Sequence, residues 1–173
     1  MKNTKRIACV LIALIMLTAL VSCNGDNDTE NGHDADSPKN DGVSYYVEYR
    51  NVKIKMGAEA DSIIEALGEY QDRREIGDCG GLGAQVKYSY PSLDVYVLES
   101  KDSGSVIDEI SFRDDTVTTP EGVYIGMTAD KAKSKSGEPT AETDKKLEYE
   151  GTKYVLVITL KDGAVSKIDY LNK

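Results

Sequence analysis

Thiols, imidazoles and paired carboxylates carry much of protein chemistry, and this sequence places few of them together. Its three cysteines are Cys9, Cys23 and Cys79, and its single histidine is His33. Nucleophilic catalysis by a Ser–His or Cys–His pair needs the base within hydrogen-bond reach of the nucleophile. His33 stands in a polar, acidic stretch, so Cys79 has no evident activator and reads as a small buried residue or a loop thiol. A metal or redox role would need a companion Cys or His, and the segment after Val43 offers none. Gly77, Gly80, Gly81 and Gly83 around Cys79 lack the spacing of a dinucleotide or phosphate loop. Asp108-Glu109 and Asp114-Asp115 are adjacent acids, which in a regular strand point to opposite faces and share no proton. Asp26, Asp28 and Glu30 alternate as in a calcium loop, but the glycine and the distant bidentate Glu are misplaced. The expectation is a protein that is not an enzyme, with no catalytic residue, no cofactor and no metal.

Tyrosine is the side chain in unusual supply, with 11 Tyr against one Phe and no Trp. Its ring covers apolar area while its hydroxyl stays wet, which suits both a sheet face and a recognition surface. Tyr88 and Tyr90 share a strand face, Tyr149 matches Tyr88 in a second, similar segment, and Tyr170 follows with the same logic. These four are the candidate binding residues.

The elements that must position them sit in a chain of 173 residues, 40% hydrophobic and 29% charged, enough for one ordinary domain. Basic residues number 21 against 30 acids, and the first 22 residues hold three bases and no acid, so removing them takes the net charge from −9 to −12. No basic run exceeds Arg73-Arg74 or Lys145-Lys146, which argues against nucleic acid and anionic lipid heads as partners.

Lys2, Lys5 and Arg6 precede an apolar stretch from Ile7 to Val21 broken by Thr18, the layout of a secretory signal and short for a membrane span. Leu20-Val21-Ser22-Cys23 resembles the lipobox of bacterial lipoproteins. By that resemblance residues 1–22 are a signal peptide, Cys23 becomes the lipid-modified first residue, and the chain is anchored to the outer face of the cell membrane. Cys9 then leaves with the signal, Cys79 is left as the one thiol, and no internal disulfide forms. Residues 23–42 read as the lipidated Cys followed by a disordered acidic tether.

Val43 to Lys173 holds 17 bases and 24 acids and repeats itself. Val52-x-Ile54-x-Met56 precedes a segment ending Leu67-Gly68-Glu69, and Val123-x-Ile125-x-Met127 precedes one ending Ser136-Gly137-Glu138. Ala60, Ile63, Ile64 and Leu67 form a helical stripe closed by Gly68. Thr128 is a candidate N-cap for a second helix that has only alanines to bury. Period-two runs follow each helix: Gln85–Tyr90, Leu93–Glu99 and Val106–Arg113, then Lys146–Glu150, Lys153–Leu160 and Val165–Leu171. Ile107, Ile110 and Phe112 answer Val165, Ile168 and Tyr170 with the same offsets, and Val86-Lys-Tyr88 answers Leu147-Glu-Tyr149. Tyr154–Leu160 is apolar in both alternating sets, so it is expected to be central and at least partly covered on both faces. A further strand opens the domain at Ser44 to Arg50 or Lys53. The predicted fold is α+β, with one unit over residues 43–122 and another over 123–173, each a helix plus a three-stranded antiparallel meander.

With Ile125-Gly-Met-Thr128, a short helix, Gly137-Glu-Pro139 and a meander, the repeat resembles the β-lactamase-inhibitor-protein-like unit shared with the small SmpA/OmlA outer-membrane assembly lipoproteins. With Asp78-Cys79 before the first meander and Thr119-Pro-Glu-Gly122 between the units, the whole segment also resembles small Firmicute-type lipoproteins of unknown function. That resemblance implies tandem units in one curved sheet, with helices on one face and a concave surface free for partners; by the duplication, the tyrosines of both units are expected on that uncovered face. The expected role is a protein-binding recognition or envelope-assembly module; inhibition or regulation of a secreted or wall-associated enzyme is the alternative, and a carboxylate-dependent hydrolase comes third.

Overall fold

The computed structural model describes residues 45–78, 81, 83–100 and 104–173; Cys23, His33 and Cys79, with the signal and tether segments, lie outside the described residues. The chain enters the fold through a hairpin of β1 (Tyr46–Tyr49) and β2 (Val52–Lys55). The single opening strand expected there is therefore two, because Arg50 and Asn51 both turn to positive φ, 52° and 62°. A two-residue turn of that hand matches the twist of a hairpin. Asn tolerates the conformation, whereas Arg needs compensation. Arg50 receives it: its guanidinium lies 5.3 Å from the Tyr49 ring centroid and 5.6 Å from that of Tyr90. It also donates to the Leu67 and Glu69 carbonyls at 3.0 and 3.2 Å.

Those carbonyls close α1 (Ala60–Leu67), which forms on the predicted stripe: Ala60 and Leu67 are buried, and Ile63 and Ile64 pack on the core. Glu59 caps it, its carboxylate accepting from the Asp61 and Ser62 backbone N–H groups at 2.8 and 3.2 Å. Gly68 ends it at φ 74°. The second helix, α2 (Ala129–Ser136), buries Ala132 and Ser136 and is as thinly packed as its composition implies. Thr128 holds the N-cap position but makes no side-chain capping bond.

All remaining strands join one antiparallel sheet. They are β3 (Asp72–Asp78), β4 (Ala84–Ser89), β5 (Leu93–Ser100) and β6 (Gly104–Phe112), then β7 (Ala141–Thr143), β8 (Lys146–Glu150), β9 (Tyr154–Lys161) and β10 (Ala164–Asn172). Their order is β3-β4-β5-β6-β10-β9-β8-β7. Each helix is thus followed by four strands, one more than expected. The overlooked β3 and β7 are the two outer strands, where charge and exposure erase the period-two signal. The middle of the sheet is the β6–β10 pair, and β9 lies between β10 and β8. On β9, Leu156, Ile158 and Leu160 are buried while Val155 and Val157 are half-buried.

Equivalent backbone bonds tie the segment before each helix to the sheet. Gly57 N–H donates to the Ile107 carbonyl at 2.8 Å, and Ile107 N–H to that of Ala58 at 2.9 Å. Gly126 N–H donates to the Val165 carbonyl, and Val165 N–H to that of Met127, both at 2.7 Å. Gly57 therefore corresponds to Gly126 and Ala58 to Met127. The V-x-I-x-M match is two residues out of step with this pairing, which aligns Ile54 with Val123, both fully buried. The register breaks of β6 and β10 also correspond: Asp108 is the extra residue between Ile107 and Glu109, and Ser166 the one between Val165 and Lys167.

One core runs the length of the described fold. It joins Val47, Ile54 and Met56 of the opening segment, Ala60, Leu67 and Ala132 of the helices, and one face of the sheet from Leu93, Val95 and Val97 to Leu156, Ile158 and Leu160. α1 packs on β2 and β6, and α2 on β10. Among the described residues no helix is long and apolar enough to cross a membrane.

Candidate functional site

Three of the four candidate tyrosines are core residues. Tyr90, Tyr149 and Tyr170 have no exposed surface. Tyr90 packs against Tyr49 at 6.1 Å between ring centroids, and Tyr170 meets Phe112 at 6.3 Å and Tyr45 at 6.5 Å. The Tyr149 hydroxyl donates to the Gly137 carbonyl at the end of α2. Burial pushes the Tyr90 and Tyr149 phenols up to about 12 and that of Tyr170 well above its usual value. The expectation that these rings line an open face is corrected here: they lie on the side that the helices and the unforeseen β1–β2 hairpin cover. Pairing also reassigns Tyr149. Leu93 pairs with Phe112 as Leu156 pairs with Tyr170, and Tyr149 pairs with Leu156 while Tyr90 N–H bonds the Leu93 carbonyl. Tyr149 therefore answers Tyr90. Tyr88 alone of the four is half-buried; its hydroxyl accepts from Arg73 Nε at 3.2 Å, and its ring meets Tyr70 edge-on at 5.3 Å.

The opposite face of the sheet carries the side chains that alternate away from this core. Across its middle runs the register row Ser89, Asp94, Ser111, Asp169, Val157 and Glu148. Beside it runs Lys87, Tyr96, Glu109, Leu171 and Val155. The β6 break adds Asp108 to the carboxylates of Asp94, Glu109, Glu148 and Asp169. Because Asp108 is an extra residue, Ile107 and Ile110 both reach the core and the two acids between them both stay off it. The reading that Asp108 and Glu109 point to opposite faces holds for a regular strand and fails at this one.

Hydrogen bonds and ion pairs hold most of these groups in place. Asp169, its side chain 8% exposed, accepts from Ser111 Oγ at 2.7 Å and from Lys167 Nζ at 2.8 Å. Asp108 accepts from Gln85 Nε2 at 2.9 Å and Asn172 Nδ2 at 3.1 Å. Lys87 and Arg113 lie 3.6 and 3.9 Å from the Asp94 carboxylate. Glu109 is less well served: burial, and then the negative charge of Asp169, push its carboxyl above the usual range. Burial, followed by Glu109, pushes Tyr96 up to about 12. Such a face accepts hydrogen bonds and attracts cations. Among the described residues no three His, Cys, Asp or Glu side chains are placed to hold a metal ion together.

Two signals in the sequence point to this face. Ile107–Ile110 and Val165–Ile168 each space core residues three apart inside a strand, which period two forbids unless a residue is extra. No protein-family model matches the chain, and no curated protein or solved structure does.

Proposed function

We propose that the chain is an exported lipoprotein, held to the outer face of the cell membrane by lipid on Cys23, that binds a protein partner with a basic surface through the carboxylate-bearing face of its sheet. The observation that carries this reading is the one-sidedness of the fold. Both helices and the hairpin lie on one face, while the other gathers Asp94, Asp108, Glu109 and Asp169 among half-buried Tyr96, Val155, Val157 and Leu171. The acid excess of the segment from Val43 onward makes a basic surface the complementary one. Binding rather than catalysis is favoured because that segment contains no histidine. In this reading the two halves are tandem copies of a unit similar to the β-lactamase-inhibitor-protein-like one. Matching tie bonds, matching register breaks and matching glycine stops at Gly68 and Gly137 support it.

The test is capture from envelope extracts with a soluble Cys23→Ala chain and its variants. Glu109→Lys and Tyr96→Ala should each abolish capture of the same protein while the variants still unfold cooperatively, which shows that the fold is kept. Lys131→Ala, on the exposed side of α2, should leave capture intact, and added salt should weaken it. Capture that is indifferent to Glu109→Lys and Tyr96→Ala would refute this use of the face.

A further inference from the structure

We propose that β3 is a docking edge for an extended acidic segment of a protein partner, which adds to the sheet as one more strand. This inference concerns a different part of the molecule from the carboxylate-bearing face and does not depend on it.

The two ends of the sheet are unequal. β7 has three residues, whereas β3 has seven, and every residue from Gln71 to Gly77 is exposed. A strand at a sheet's end leaves alternate backbone N–H and C=O groups without ladder partners, and an extended chain satisfies them. Among the described residues the large exposed hydrophobics are Tyr70 at 45%, Ile76 at 51% and Tyr124 at 40%, and two of these three flank or lie within β3.

Charge selects the occupant. Arg73 and Arg74 stand on opposite faces of β3, opposite Tyr88 and Lys87 respectively. Two consecutive acidic residues of an incoming strand would each face one guanidinium. Arg73 is already held: its guanidinium lies 5.5 Å from the Tyr88 ring centroid and 3.0 Å from Glu99 Oε1, and Tyr70 meets the same ring edge-on. Prior ordering lowers the entropic cost of binding. Arg74 pairs with Asp72 at 3.3 Å with both side chains exposed, a contact weak enough to exchange for a partner's carboxylate. Asp72, Glu75 and the register break between Glu75 and Gly77 discourage pairing with arbitrary strands.

The probe is a display library of random peptides of about ten residues, the length of a long strand, panned on the soluble Cys23→Ala chain. Selected peptides should be acidic and should slow hydrogen exchange at the β3 amides. Arg74→Glu and Ile76→Ser change exposed side chains and should keep the parent melting temperature while weakening those peptides at least about tenfold. Failure to enrich any peptide, protection confined to other strands, or an affinity for both variants equal to that for the parent would overturn the proposal.

Discussion

Ser111 and Asp169 stand the same distance past the extra residues of β6 and β10, and they face each other across the seam between those strands. Ser111 Oγ donates to Asp169 Oδ1 at 2.7 Å. Two aspartates at this meeting point would set like charges side by side on a half-dry face, with one pushed strongly toward its neutral form. A hydroxyl on one side and a carboxylate on the other turn that repulsion into a charge-assisted hydrogen bond.

Ser111→Ala should therefore destabilise the fold by about 1–3 kcal/mol, the range for leaving a buried acceptor short of a donor. The Lys167 pair remains in this variant, which places the effect toward the lower end. Urea denaturation at neutral pH measures it, and an unchanged midpoint would show that the bond contributes nothing net.

Glu109 gives the fold a dependence on pH opposite to that of a salt-bridged carboxylate. Its folded-state pKa is raised by burial and by Asp169. The folded chain therefore holds this proton more tightly than the unfolded chain. Stability from Glu109 is full below the unfolded value and falls as pH rises through the folded one. Glu109→Gln removes that loss. The variant should match the parent at about pH 3, below the unfolded value of Glu109, and exceed it at about pH 7. Denaturation midpoints at the two values decide it; a parent that is the more stable at neutral pH would contradict the sign.

The lipid attachment read from Leu20-Val21-Ser22-Cys23 depends on a thiol. Cys23→Ala should abolish detergent-phase partitioning and leave an unprocessed or released product. Cys23 precedes the first described strand, which starts at Tyr46, by 23 residues. The melting temperature of the soluble variant should therefore equal that of the delipidated parent. Unchanged partitioning and an unchanged mature mass would defeat the assignment.

Much of the fold was legible because its inner strands obey simple periods. Leu93, Val95 and Val97 alternate, Ala60 to Leu67 keep a helical stripe, and both helices stop at glycine. What escaped was whatever breaks a period. Arg50 in a left-handed turn is an atypical hairpin signal, so the β1–β2 cover went unseen. Asp108 as an extra strand residue sent both acids of one pair off the core, against the rule of alternation. Tyrosine was the least readable type of all, since the same amphipathic ring serves a core and a surface, and long-range packing decides which.

Tyr90 tests that decision directly. Its ring is fully buried against Tyr49, beneath the guanidinium of Arg50, and its hydroxyl has no hydrogen-bond partner among the described residues. A buried hydroxyl without a partner has lost its bonds to water and gained nothing in return. Tyr90→Phe keeps the ring, and with it the contact to Tyr49, so it should be neutral or stabilising. Tyr90→Ala empties the site beneath the hairpin and should cost about 3–5 kcal/mol, as aromatic truncations in cores do. Such a loss lowers the melting temperature by many degrees in a domain of this size. Calorimetry on the pair separates the ring's contribution from that of the hydroxyl. If Tyr90→Phe proved as damaging as Tyr90→Ala, the hydroxyl would have to be bonded, and the packing of the hairpin over the first half of the sheet would need revision.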